Sequence, residues 1–215
     1  MIFEDRYDAG RQLAEKLLIH RHNAIVLAIP RGGVPVGYEI AKRLDVPLDL
    51  IIPRKLPIPS EPEAGFGAVA PDGTIVLNEE MVAHLGLTSE EIGDIAAEVL
   101  NEVRRRIKVY RGDRPLPHLK GKRVILVDDG LATGYTMIAA VRAVRNERPA
   151  RVIVAVPCSP ETSVLRLEKE ADEVFSLMVQ RHGQFAVASF YNSFPDLGDE
   201  EVKGLLHDTP EEPLI

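Results

Sequence analysis

Apolar positions along the chain follow two rhythms, helical stripes and short unbroken runs. In residues 7–19, Leu13 and Leu17, and likewise Ala14 and Leu18, lie four apart, which predicts a helix with one buried stripe. Ala24-Ile25-Val26-Leu27-Ala28-Ile29 is a continuous apolar run, as expected of a strand covered on both faces. Pro30-Arg31-Gly32-Gly33 stops it, and a second helix is predicted behind, with Pro35 in its first turn and Val34, Tyr38, Ala41 and Leu44 inward. Residues 48–52, 124–127, 152–156 and 174–178 read as four further strands. Thr88-Ser89-Glu90-Glu91 is a capping box; it opens a helix to about Arg111 whose stripe is Ile92, Ile95, Val99, Val103 and Ile107. Helices also follow residue 136, with Ile138, Val141 and Val144 inward, and span 161–170. Strands alternating with helices imply a parallel sheet with crossover connections. The expected fold is α/β: a parallel five-stranded sheet flanked by helices, one domain over 1–215 with its core at about 20–180.

Three stretches break these rhythms. Residues 54–77 combine Pro57, Pro59, Pro62 and Pro71 with Gly65, Gly67 and Gly73. A hairpin is expected there, residues 66–69 against 74–77 around Pro71-Asp72-Gly73, either as a lid or as a surface Ω-loop. Arg104-Arg105-Arg106 is expected to lie on a solvated helix face. Residues 181–197 gather Phe185, Phe190, Tyr191 and Phe194, either a hood for a planar ligand or a small satellite core. A short helix is expected in the tail from 198.

Composition narrows the classes. The chain has 215 residues, 45% of them apolar and 27% charged, which argues against wholesale disorder or a rod. No apolar run is long enough for a bilayer, so no membrane association is expected, and the first residues lack the pattern of a secretory leader. A net charge of −7 argues against nucleic acid as partner but not against a local cationic pocket. The single cysteine, Cys158, excludes an intramolecular disulfide and suits a cytoplasmic setting; it is expected just past a strand end, as a buried inert thiol. The six histidines show no paired ligand spacing, and His20 and His22 are expected on a solvated helix end.

The candidate chemistry sits at strand ends, where ligands bind in open α/β sheets. The run Val124–Val127 leads into Asp128-Asp129-Gly130-Leu131-Ala132-Thr133-Gly134-Tyr135-Thr136 and then a helix. Free N–H groups at that helix start favour a phosphate, and two adjacent carboxylates can accept from vicinal hydroxyls or meet a hydrated cation. Together they describe a ribose 5-phosphate. Neither GxGxxG nor GxxxxGK[ST] is present.

Residues 124–136 closely resemble the PRPP-binding signature of the type I phosphoribosyltransferases. Pro30-Arg31-Gly32-Gly33-Val34-Pro35 is similar to the family's pyrophosphate loop, and Pro53-Arg54-Lys55 to the step that opens its flexible loop. The resemblance covers roughly 24–180 and points to a bacterial and archaeal subgroup without assigned substrates. One departure is Tyr135, where many members carry glycine. If its ring turned inward it would obstruct the 5-phosphate; the outward course is favoured. The resemblance implies a type I phosphoribosyltransferase fold with a lid hairpin at 54–77 and a hood at about 181–197. It implies transfer of a 5-phosphoribosyl group from PRPP to a nitrogen acceptor such as a purine-like base, with release of pyrophosphate, in nucleotide metabolism. Arg31, Arg54, Lys55, Asp128 and Asp129 would then be catalytic. Gly32, Gly33, Asp128, Asp129, Ala132, Thr133, Gly134, Tyr135 and Thr136 would bind PRPP, and Phe185, Phe190 and Tyr191 would meet the acceptor. Mg²⁺ would arrive with PRPP and touch Asp128 and Asp129 indirectly. A homodimer stays open. The competing reading is a regulator that binds PRPP or a nucleotide on the same fold without turnover.

Overall fold

The computed structural model describes residues 2–59, 61–112 and 117–209, so residue 60 of the expected lid and both ends of the expected domain lie outside the described residues. The main sheet consists of β1 (Ala24–Ala28), β2 (Leu48–Leu50), β6 (Arg123–Val127), β7 (Arg151–Pro160) and β8 (Glu173–Gln180), in the order β2-β1-β6-β7-β8. Every pairing is parallel. The continuous apolar runs are explained by two-sided burial. Along β1, Ala24, Val26 and Ala28 enter one core while Ile25 and Leu27 enter the other. In β6, Ile125 and Val127 are parted from Val124 and Leu126 in the same way, as the two-residue strand period requires.

One face is covered by α1 (Arg6–Leu17), α2 (Gly33–Leu44), the last turns of α4 (Ser89–Arg111) and α7 (Asp199–His207). The other is covered mainly by α5 (Tyr135–Asn146), with Leu167 from α6 (Glu161–Leu167). The capping box forms as expected: Thr88 accepts from Glu91 N, and the Glu91 carboxylate accepts from Thr88 N. Of the expected α4 stripe, Ile92 and Val103 are buried and Ile95, Val99 and Ile107 are partly covered. No helix among the described residues is long and apolar enough to cross a membrane.

The strands β3 (Arg54–Ile58), β4 (Glu61–Val69) and β5 (Ile75–Leu77) form a second, antiparallel sheet in that order; the short helix α3 (Glu79–Leu85) follows. The expected hairpin is β4–β5, with Val69 opposite Ile75. The third strand was not expected, because Pro57 hides its signal. The register shifts on both sides of Pro57, and at such an irregularity a strand tolerates the missing N–H. Leu56, Ile58, Phe66 and Val69 share a core with Ile92 and Ala96 of α4. The excursion is therefore a packed layer over much of its length, not a loop lying on the surface.

Two further expectations are corrected. His20 ends a 3₁₀ turn and is 5% exposed, edge-on to Phe175, with its Nε2 3.3 Å from Glu173. The packing of β8 across the end of α1 covers it, and helical periodicity does not reveal such a neighbour. Cys158 lies inside β7, opposite Met178, because pairing with β8 carries that strand past Pro157 to Pro160.

Candidate active site

The strand order reverses between β1 and β6: β1 continues outward to β2, and β6 continues the other way to β7. A crevice beyond the carboxyl ends of such a pair is where open α/β sheets bind ligands. The loop after β1 (residues 30–33, with a cis Pro30–Arg31 peptide) and the loop after β6 (residues 128–134) meet there.

Asp128 and Asp129 sit at the end of β6, and Asp128 Oδ1 accepts from Asp129 N at 2.8 Å. Burial holds the Asp128 carboxyl well above the usual carboxylate range, and the neighbouring Asp129 raises it further. Asp129 turns the other way. Its Oδ2 lies 2.8 Å from Arg6 Nε, with the two side chains 15% and 9% exposed. Arg6 also donates to Pro195 O at 2.7 Å, and its guanidinium lies 3.7 Å from the Phe194 ring centroid. Arg6 therefore ties α1 and the C-terminal segment to the acidic pair.

Gly32 and Gly33 are needed at the strand end itself. A Cβ on Gly32 would lie 1.9 Å from Asp129 Oδ2, and one on Gly33 would lie 2.7 Å from Val127 O. What the missing side chains admit is the acidic strand end of the protein.

The turn after Asp129 presents backbone donors. Gly134, at φ 84, is the N-cap of the 12-residue α5. Among the described residues, nothing accepts from the N–H groups of Thr133, Gly134, Tyr135 or Thr136. Two residues of α6 hold this turn from behind. Ser163 donates to Ala132 O at 2.6 Å and Arg166 donates to Thr133 O at 3.1 Å. The Tyr135 ring packs against the core under α5, with the Arg166 guanidinium 5.5 Å from its centroid. Gly134→Ala has room for its methyl, since the nearest atom is Ser163 Cβ at 3.5 Å, but not the dihedral angle. It is expected to cost about 1–2 kcal/mol in urea unfolding, the penalty of an L-residue in the left-handed region; an unchanged midpoint would contradict this geometry.

A second group of residues is cationic. Arg31, Arg105, Arg106, Val109, Tyr110 and Asp199 line a cavity of about 80 Å³. Asp199, at the start of α7, accepts from the Tyr110 hydroxyl at 2.6 Å and lies 3.7 Å from Arg31 Nη1. Glu102 is held by Arg105 at 2.8 Å and Arg106 at 2.9 Å, and lies 3.8 Å from Arg54. These hydrogen bonds bring the Glu102 carboxyl down to about 2. The Arg54 guanidinium is lowered, first by burial and then by Arg106. Lys55 is the exposed neighbour of Arg54 in β3.

The basic run on α4 is thus not wholly solvated. Arg104, beside Asn101, and Arg105 are both exposed, Arg105 at the rim of the cavity it shares with Arg31, while Arg106 is half-buried. A three-residue run spans most of a helical turn, so charge alone could not say which members face inward.

The aromatic cluster resolves in favour of a satellite core for Tyr191. Its ring is 7% exposed, packed against Phe3 and Phe194 at centroid distances of 5.4 and 4.9 Å. Its hydroxyl donates to Asp129 O at 2.6 Å. An acceptor-stacking role for Tyr191 is therefore replaced by one of bracing the acidic loop. Phe185 and Phe190 remain half-buried, as a tilted pair 5.2 Å apart. Burial and then Asp129 push the Cys158 thiol up to about 12, which leaves it un-ionised.

A family model described as phosphoribosyl transferase domain matches residues 2–189. A Mycobacterium tuberculosis (strain H37Rv) protein named "Putative phosphoribosyl transferase Rv0571c" is 40% identical over 206 residues, covering 95% of this chain and 46% of that protein. The chain thus spans about half the length of the curated relatives it matches. The crystal structure of TT1426 from Thermus thermophilus is 39% identical with a TM-score of 0.82, covering 98% of this chain and all (100%) of that one. A hypothetical Neisseria gonorrhoeae protein crystallised with bound ppGpp shares the fold at 15% identity and a TM-score of 0.51, covering 96% and 97% of the two chains.

Proposed function

Because this chain belongs to the phosphoribosyl transferase domain family, we propose that it transfers a 5-phosphoribosyl group from PRPP to a nitrogen acceptor, a purine-like base, and releases pyrophosphate. The observation that carries this reading is the turn of unsatisfied N–H groups at the start of α5, beside two adjacent carboxylates at the sheet's reversal point. The amides of residues 132–136 and the dipole of α5 hold the 5-phosphate. Asp128 and Asp129 accept from the two ribose hydroxyls; for this, Asp129 shares its charge between the sugar and Arg6.

As pyrophosphate leaves, the sugar's C1 gains positive charge and the departing oxygens gain negative charge. Arg31, Arg54 and Lys55, joined by Arg105 and Arg106, stabilise the departing group electrostatically and form no covalent bond with it. Among the described residues no group of three or more His, Cys, Asp or Glu side chains forms a metal site. Asp128 and Asp129 would meet Mg²⁺ indirectly, through the PRPP that carries it, an arrangement compatible with Asp129 staying on Arg6. When bound, Mg²⁺ neutralises phosphate charge and orients the donor. Residues 54–77 act as the lid that keeps water from C1, and the hood at about 181–197 offers Phe185 and Phe190 to the base. One domain working in the cytoplasm is part of the same reading.

The test is pyrophosphate release from PRPP and Mg²⁺ across a panel of purine and pyrimidine bases. Release with one base names the acceptor. PRPP binding with no release for any base would transfer the assignment to the non-catalytic regulator. Arg54→Ala and Arg106→Ala are expected to slow turnover about 10- to 100-fold while leaving ribose 5-phosphate affinity within a few-fold. Equal losses in both would remove these arginines from the leaving-group side.

A further inference from the structure

A separate cavity of about 310 Å³ lies beside the edge of the main sheet. Its walls are mostly apolar: Leu27 of β1, Ile51 and Ile52 beyond β2, Ile107 of α4, Ala143 of α5, and Leu119. That volume falls at the lower end of the range for small-molecule sites. One polar group stands out in this setting. Arg111, the last residue of α4, lines the cavity with its side chain 6% exposed. Its Nη2 donates to Asp49 at 2.8 Å and to Leu50 O at 2.9 Å, while among the described residues its buried Nη1 has no hydrogen-bond partner. A buried donor without an acceptor is costly, and native structures rarely keep one without a reason.

We propose that this cavity is a binding site for a small, uncharged, largely apolar molecule whose carbonyl or ring nitrogen accepts from Arg111 Nη1. Charge decides against an anion. Asp49 already neutralises Arg111, and the exposed Asp72 and Glu147 stand in the cavity wall. Among the described residues an anionic ligand would meet two carboxylates and no unbalanced cation. A pure hydrocarbon would fill the space and leave Nη1 unpaired. Tyr110 lines both this cavity and the small arginine-lined one, and its hydroxyl holds Asp199. A molecule seated here therefore touches the wall of the cationic group.

The experiment is a methyl NMR titration of the full chain with three probes of nearly the same shape: acetophenone, isopropylbenzene and benzoate. Acetophenone is expected to shift the methyls of Leu27, Ile51, Ile52, Ile107 and Leu119 and to bind at least threefold tighter than isopropylbenzene and tenfold tighter than benzoate. Ala143→Leu fills the cavity without touching the Arg111–Asp49 pair and should abolish the shifts. Arg111→Met should erase the preference for acetophenone. Should Arg111→Met fail to fold because Asp49 loses its partner, Ala143→Leu still decides the location and the probe ranking still decides the chemistry. Silence from all three probes, equal affinities, tightest binding by benzoate, or unchanged binding in Ala143→Leu would each overturn the proposal. No arm uses PRPP, so this result stands apart from the assignment of the catalytic site.

Discussion

Asp128→Asn is expected to cut PRPP-dependent turnover by about 100-fold and, in the same molecule, to make the ligand-free protein more stable at neutral pH. The loss of function follows because Asp128 gives up its proton when it accepts from the sugar hydroxyls, which asparagine cannot do, and hydrogen bonds to charged groups are worth about 1.5–3 kcal/mol while each 1.4 kcal/mol is a factor of about ten. The gain in stability follows from burial. An aspartate in the unfolded chain titrates near pH 4, and desolvation raises the folded-state value well above that. The folded form thus holds a proton that the unfolded form has released. Its contribution is fully present below about pH 4 and is lost as pH rises through the raised pKa. Asparagine has no charge to desolvate, so the stability gap between variant and parent should widen with pH across that interval. Urea unfolding at pH 4 and pH 7, paired with the pyrophosphate assay, measures both effects. A variant less stable than its parent at pH 7, or one with normal turnover, would refute this account of Asp128.

Arg6→Met should be the most damaging substitution outside the phosphate turn. The Arg6–Asp129 pair is almost closed to water, and removing one member of such a pair leaves the other charged and buried, which typically costs about 3–5 kcal/mol. For a chain of this size that lowers Tm by roughly 6–20 °C. The double variant Arg6→Met with Asp129→Asn should regain part of the loss, because no buried charge then remains unpaired. A double-mutant cycle reads the coupling directly; additive losses would show that the pair is not energetically linked. Turnover in Arg6→Met should also fall, since Arg6 and Gly32 together fix where the Asp129 carboxylate sits. PRPP affinity equal to that of the parent would show that Asp129 keeps its place without this partner.

Arg6 also shows where a sequence reading stops. It lies 123 residues from Asp129 and carries no local signal, being one basic residue at the start of an ordinary amphipathic helix. Ser163 and Arg166 were missed for the same reason, as unremarkable positions on a short helix that happens to pass behind the phosphate turn. The β3 strand was hidden by Pro57, and the half-burial of Arg106 by the sameness of a charge run. What could be read in advance was whatever rests on contiguous residues: the strand runs, the Thr88 capping box, the Asp-Asp step into a glycine-threonine turn, and the pairing of β4 with β5.

The amino-acid order alone therefore determined the parallel α/β plan and the acidic, amide-rich strand end, because two-sided strand burial and a helix start are local demands that adjacent residues must meet. Only the folded arrangement decided that Asp129 is tethered to Arg6, that Tyr191 braces the acidic loop instead of facing a ligand, and that four arginines from three separate segments share one corner. Those outcomes depend on which surfaces meet across the sheet, and no short stretch of chain carries that information.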